Sequence, residues 1–266
     1  MKPFECDYRV RSYETGVRNR LSLPSVCNYL QEAAGEHAEK LGFGILELQA
    51  RGISWMLARL HLKLARDVPW GTDVKVVTWP SGLKGRLVAL RDFQIFATPD
   101  EGVSHESTRI CTNQPGGRVP ILEGVSEWLT VDLAAQKIVK PSEDFARVAP
   151  PDVARVALAA TDGHGKFAAL AKVDQTALIR VRRADHDFND HVNNVHYVEW
   201  ALEALPESFR ARSVRELDIV FRQAAHAGDE LESRVEIVDD ANLRCAIVRP
   251  ADGALLATAA LTFANT

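Results

Sequence analysis

Asp185-His186-Asp187-Phe188-Asn189-Asp190-His191-Val192-Asn193-Asn194 runs directly into Val195-His196-Tyr197-Val198-Glu199-Trp200-Ala201-Leu202-Glu203. The first stretch sets carboxylates, an amide and an imidazole at alternating positions, and the second has the spacing of a helix. Alternate positions of an extended segment point to one side, so Asp187, Asn189 and His191 are expected to converge. A helix opening beside them directs its unpaired backbone N–H groups toward the same place. A titratable group, an orienting amide and donors for a developing oxyanion are the parts that hydrolytic chemistry requires. Asn193 is a natural N-cap. Whether it only caps the helix or also walls the site, with Asn194 next to it, stays open.

Outward from this stretch the chain reads as two similar halves, each with a strand, an approach loop, one long helix and several strands of period two. In the first half Ser22 is the expected cap, with Pro24 in the first turn. Val26, Tyr29, Leu30, Ala33, Ala34, His37, Ala38 and Leu41 then recur at helical spacing, and Gly42 is the expected stop. Leu60, Leu62 and Leu64 alternate with polar residues, Val74 and Val76 flank Lys75, and a further strand is expected over Leu87 to Ala97. The second half repeats the plan. Ile179 and Val181 alternate with arginines, and a helix is expected from about Asn194 to Leu205, ended by Pro206. Leu217, Ile219 and Phe221 alternate next, then Leu231 to Ile237, and the apolar run Ala254 to Ala264 suits a central strand. Periodicity thus predicts an α+β protein with duplicated halves. Residues 1–140 form the first domain, 141–174 a linker and 175–266 the second domain. A further irregular segment, Asp100 to Leu122, with Pro115-Gly116-Gly117, is expected to be an inert insertion.

Composition narrows the function classes. The 266 residues are 46% apolar, enough for a substantial core, and the net charge of −4 argues against nucleic-acid binding. No run approaches the roughly 18 apolar residues of a membrane helix. Met1 to Asp7 carries charges where a signal peptide needs an apolar stretch. Cys6, Cys27, Cys111 and Cys245 are scattered without C-x-x-C spacing, which suggests neither a zinc site nor a disulfide framework. A reduced cytoplasmic setting is expected, with no cofactor and no metal.

The pattern D-x-N-x-H-V-N-N-x-x-Y-x-x-W-x-x-E resembles the second-domain motif of plant and bacterial acyl-acyl-carrier-protein thioesterases. Tyr29-Leu30-Gln31-Glu32-Ala33-Ala34 through His37-Ala38 looks like that family's first helix, and Trp55-Met56-Leu57-Ala58-Arg59, Thr78-Trp79-Pro80 and Arg91-Asp92-Phe93 like its following strands. Trp128 with Asp132 matches a W-x-x-x-D strand. The resemblance implies a tandem (double) hotdog fold, each half an antiparallel sheet wrapped around one long helix. It further implies hydrolysis of a fatty acyl thioester carried on acyl carrier protein. Asp187, Asn189 and His191 would be the catalytic set, and the sequence does not choose between Asp187 and His191 as the base. The first domain would hold the acyl chain, with Trp55 on a strand near it. Arg180, Arg182 and Arg183 are candidates for docking the acidic carrier protein.

The chain departs from the family where a Glu lies about 34 residues after the motif histidine. That position falls on Ala224 or Ala225, and His226 beside them is the candidate substitute for proton transfer. The departure leaves a thioesterase with a simplified site or a homologue of weak or altered activity, and it keeps a non-catalytic acyl-binding reading open. The same chemistry on acyl-CoA, an acyl-CoA thioesterase, is a separate alternative. A hotdog dehydratase is disfavoured because no separate histidine-plus-acid motif of that type is visible. A homodimer also stays open, although a duplicated chain already supplies the pairing that single hotdog domains obtain by dimerising.

Overall fold

Ser22 starts the first long helix. Its Oγ accepts the Ser25 N–H at 3.2 Å, and α1 runs over Leu23–Lys40. Gly42, at φ +74°, ends it. The Gly42 N–H donates to the Glu39 carbonyl at 3.0 Å and the Phe43 N–H to the Ala38 carbonyl at 2.9 Å, the paired closure that a left-handed glycine permits. The computed structural model describes residues 2–16, 18–97, 119–150, 152–158, 169–187 and 191–264.

Around α1 the first half contributes β1 (Phe4–Arg9), a ribbon of β2 (Thr15–Gly16) and β3 (Arg20–Leu21), a short α2 (Ile45–Gln49), and β4 (Ile53–Leu64). It continues with β5 (Asp73–Lys84), β6 (Val88–Ala97), β7 (Leu122–Asp132) and β8 (Lys137–Val139), followed by α3 (Glu143–Arg147). The second half has β9 (Gln175–Arg180), α4 (Asn194–Glu203), α5 (Glu207–Arg210), β10 (Val214–Phe221), β11 (Glu230–Ile237), β12 (Asn242–Arg249) and β13 (Ala254–Phe263). α4 stops two residues short of Leu205. The residue before a proline is pushed out of the helical region, and Leu205 precedes Pro206.

One antiparallel sheet joins both halves, in the order β1-β5-β6-β7-β4-β10-β13-β12-β11-β9, with β8 pairing β7 at the side. Read from either edge the order is the same. A strand before the long helix comes first, then the second, third and fourth strands after the helix, and the first strand after the helix lies at the middle. The expected tandem hotdog is therefore built as one continuous sheet whose halves meet along β4 and β10. In that seam Leu60 pairs with Ile219 and Leu62 with Leu217, and Leu62, Leu217 and Ile219 are fully buried. Truncating one such side chain to alanine typically costs about 2–5 kcal/mol. β13, expected to be central, lies between β10 and β12.

α1 and α4 lie in contact with each other, with α1 packed on β5 and β1 and α4 on β9, β11 and β12. Several described residues tie down the connection between the halves. The Val156 N–H donates to the Asp92 carboxylate at 2.7 Å, and the Ala171 N–H donates to Glu236 at 3.2 Å. Most of the irregular segment after β6 falls outside the described residues.

Candidate active site

The approach to α4 is anchored by Asp185, which is buried. Its carboxylate accepts the Arg182 backbone N–H at 2.8 Å and the Arg182 guanidinium at 2.9 and 2.7 Å. From there the chain reverses. His186 bridges Val192 in antiparallel fashion, and the Asp187 N–H donates to the His191 carbonyl at 2.8 Å. The two ends of the segment thus pair antiparallel, where the alternating polar residues suggested a single extended run. Asp187 and His191 are opposed in this pairing, and opposed positions of an antiparallel pair carry their side chains on one face, about 5 Å apart. Asp187 is half-buried and His191 exposed. Asn189 lies outside the described residues.

The first half shows why the pairing forms. There Glu14 anchors Arg11 as Asp185 anchors Arg182, with an Arg11 N–H to Glu14 distance of 2.7 Å. Thr15 pairs with Leu21 as His186 pairs with Val192. The Ser22 N–H donates to the Glu14 carbonyl at 2.9 Å, as the Asn193 N–H does to the Asp185 carbonyl at 3.0 Å. The two approaches match residue for residue, and an acid buried three residues after an arginine is the shared cause.

Asn193 caps α4. Its side-chain oxygen accepts the Val195 N–H at 3.0 Å, and its carbonyl accepts the His196 N–H at 3.0 Å. The Asn194 N–H, first in the helix, has no acceptor among the described residues. Asn194 itself stands at the wall of an apolar cleft of about 420 Å³, measured to its open mouth. α1 contributes Cys27, Leu30, Gln31 and Ala34 to this cleft, the i, i+3, i+4, i+7 stripe of one helix face. Val195 and Val198 of α4 face them. The sheet closes the floor with Leu57, Leu60, Phe93 and Phe221. Trp128 also lines it, held by its indole N–H donating to Ser126 Oγ at 2.7 Å. Burial pushes the Cys27 thiol up to about 12, which favours its protonated form near neutral pH. Neither Cys27 nor Gln31 stands out in the sequence, because each lies at the edge of a helix face whose centre is ordinary core.

Of the expected residues among those described, Asn194 lines this cleft, Asp187, His191 and Asn193 precede it on the approach to α4, and the others lie elsewhere. Trp55 donates its indole N–H to the Phe43 carbonyl at 2.9 Å and packs against Trp128 and Phe145 in a satellite cluster. Trp128, its neighbour, is the tryptophan that reaches the cleft. His226 is exposed, with its backbone N–H bonded to Asp229 at 3.0 Å. Ala224 is exposed, whereas Ala225 is buried and donates its N–H to the Tyr197 hydroxyl at 2.8 Å. Of the three arginines before the motif, Arg182 is committed to Asp185, and Arg180 and Arg183 are exposed.

A family model described as the acyl-ACP thioesterase N-terminal domain matches residues 1–148, and one described as the acyl-ACP thioesterase C-terminal domain matches residues 169–265. This chain belongs to the acyl-ACP thioesterase family. Among curated relatives in that family, it is 26% identical over 241 residues to the chloroplastic oleoyl-acyl carrier protein thioesterase of Coriandrum sativum. That alignment covers 84% of this chain and 60% of the relative. Identity is 30% over 245 residues to the chloroplastic dodecanoyl-acyl-carrier-protein hydrolase of Cinnamomum camphora, covering 86% of this chain and 58% of the relative. The chain thus spans about three fifths of the length of the curated relatives it matches. The fold is shared with the 12:0-ACP thioesterase of Umbellularia californica, at a TM-score of 0.79 and 22% identity over 99% of this chain and 98% of the other. It is shared equally with an acyl-ACP thioesterase from Bacteroides thetaiotaomicron, at a TM-score of 0.77 and 19% identity over 98% of both chains.

Proposed function

We propose that this chain hydrolyses the thioester between a fatty acyl chain and the phosphopantetheine arm of acyl carrier protein. The observation that carries the reading is the pairing of Asp187 with His191 directly before the first turn of α4, whose Asn194 and Val195 stand at an apolar cleft. The acyl chain lies between α1 and α4, and the thioester carbonyl points at the helix start. There the Asn194 N–H stabilises the developing oxyanion; removing one such donor typically raises a barrier by about 3 kcal/mol. Asp187 or His191 takes a proton from water as it attacks the carbonyl carbon, and Asn189 orients the water. The tetrahedral intermediate collapses with expulsion of the thiolate, which leaves as the thiol after taking up a proton. Direct water attack is favoured because the cysteine at the cleft is a protonated thiol.

The carrier protein is acidic as a class, and the exposed Arg180 and Arg183 beside the motif complement it. No described helix is long and apolar enough to cross a membrane. Cys6, Cys27 and Cys245 are free thiols, which agrees with a reduced, cytoplasmic setting for this chain.

The test is thiol release from a panel of acyl-carrier-protein thioesters with matching acyl-CoAs. His191→Ala and Asp187→Ala serve as controls whose folding is verified by circular dichroism. Release that prefers carrier protein and falls at least about tenfold in the variants is expected. Release from CoA alone would reassign the partner. Tight acyl binding without release in the folded protein would favour the non-catalytic reading, with Ala224 and Ala225 as its cause.

A further inference from the structure

A second and larger cleft, about 1120 Å³ to its open mouth, lies where the start of α1 meets the end of α4. It is the counterpart of the candidate active-site cleft under the duplication. Asn194 and Val195 open the first cleft, and Leu23 and Pro24, their equivalents at the start of α1, stand at the second. The residues that correspond to Asp187, Asn189, His191 and Asn193 are Gly16, Arg18, Arg20 and Ser22, and all four line it. The acid–base set has become glycine and guanidinium. Neither takes a proton from water at neutral pH, so this copy has lost hydrolytic chemistry and gained positive charge.

Three further arginines, Arg66, Arg210 and Arg212, come to the same cleft from other segments. Against these five guanidinium groups stands one lining carboxylate, Asp67. Asp67 is shared, at 3.2 Å from Arg20 and 2.9 Å from Arg215. Arg212 spends its donors on the carbonyls of Ala264 and Asp240 and meets no carboxylate among the described residues. Arg210 donates its Nε–H to the Leu205 carbonyl at 3.0 Å and has Glu207 at 3.6 Å in an exposed pair. Arg18 and Arg66 are exposed and have no partner among the described residues. Below the arginines the lining turns apolar, with Val26, Ile95, Leu122, Leu202 and Phe263. A cationic mouth over a hydrocarbon floor is complementary to one class of molecule, an amphiphile with an anionic head and an alkyl tail.

We propose that this cleft binds a long-chain fatty acid, its carboxylate held by Arg18 and Arg66 at the mouth and its tail along the floor. That the same fatty acid is the product of the first cleft rests on the thioesterase reading; binding in the second cleft does not.

The experiment uses a palmitic acid carrying a diazirine on its chain, photolysed with the intact protein, and maps the adducts by mass spectrometry. Thiol release is measured on the same samples. Adducts on the peptides holding Leu122, Leu202 or Phe263 are expected. Their yield should fall about tenfold with the uncharged alcohol of the same chain, and by as much in Arg18→Ser/Arg66→Ser, because charge-assisted hydrogen bonds to the carboxylate are lost. The alcohol probe needs no variant, so the proposal stays testable whatever the substitutions do to folding. Adducts confined to the peptides of Leu30, Leu57 and Phe93 would overturn it, as would equal labelling by acid and alcohol. Second-cleft adducts in a chain that releases no thiol would uphold the site and overturn only the thioesterase reading.

Discussion

Arg59 on β4 and Asp218 on β10 form a two-point pair across the seam of the halves, Nε to Oδ1 at 2.7 Å and Nη2 to Oδ2 at 2.5 Å. Both are buried, and Glu127 stands 3.5 Å from the same guanidinium. Two charges withdrawn from water gain little net stability as a pair, but removing one takes the main counter-charge from the other. Asp218→Ala is therefore expected to destabilise the fold by about 3–5 kcal/mol. Arg59→Ala on top of it should cost less than it does alone, giving a coupling energy of about 0.5–3 kcal/mol in a double-mutant cycle. Urea midpoints of the four proteins measure this, and additive effects would mean that the pair does not hold the seam.

Tyr197 restrains the loop that carries the two alanines. Its hydroxyl accepts the buried Ala225 N–H at 2.8 Å and donates to the Gln223 carbonyl at 3.4 Å. Tyr197→Phe preserves the ring and leaves that N–H unsatisfied, a loss of about 1–3 kcal/mol. Hydrogen exchange at the Ala225 amide should accelerate more than at β11 or β12. Unchanged exchange there would show that the hydroxyl is incidental to the loop.

His37 makes stability depend on pH. Burial, with the neighbouring Arg91 guanidinium, lowers its pKa from 6.5 to about 4. Arg91 Nη1 lies 3.1 Å from His37 Nδ1. Since arginine only donates, His37 accepts there and is neutral. The unfolded chain takes up a proton near 6.5 and the folded one only near 4, so the unfolded state binds more protons between them. Stability is full above pH 6.5 and falls as pH drops toward 4. In His37→Gln the slope of the urea midpoint over that window should flatten relative to the parent. An unchanged slope would assign the acid sensitivity to other groups.

The elements were legible because each half obeys one local rule at a time, period 3.6 through α1 and period two through β4, β10 and β11. Gly42 and Pro206 mark their helix ends by backbone sterics that need no partner. The antiparallel pairing of His186 with Val192 was not legible, since alternating polar residues read as an extended strand. Its cause, Asp185 gripping Arg182, is visible only beside Glu14 and Arg11 in the other half. The cleft was half legible. Asn194 follows from its motif, but Gln31 and Trp128 reach it only through the packing of α1 on the sheet. The second cleft collects its arginines from residues 18–20, 66 and 210–212, and no local pattern connects those segments.

Cys27 tests whether the first cleft uses a nucleophile of its own. Its thiol, buried and pushed up to about 12, is protonated at neutral pH. Cys27→Ala is expected to keep turnover within about threefold of the parent, as a side chain that only packs would. Iodoacetamide should likewise leave it unmodified in the folded protein, because the thiolate is the reacting form. A loss of several hundredfold in turnover would instead place the sulfur in the chemistry.

Asn193 closes the approach to α4, and its counterpart Ser22 does the same for α1 without an acid–base set beside it. That pairing separates capping from chemistry. Asn193→Ala removes the acceptor for the Val195 N–H and should destabilise the protein by about 1 kcal/mol. Asn193→Ser supplies the cap that α1 already uses and should restore that loss. If capping is all that Asn193 contributes, thiol release in Asn193→Ser returns with stability to near the parent rate. The cap sets the direction of the Asn194 N–H, so restoring it restores the oxyanion donor as well. A serine variant that is as stable as the parent yet still slow would instead mean that the amide itself touches the substrate.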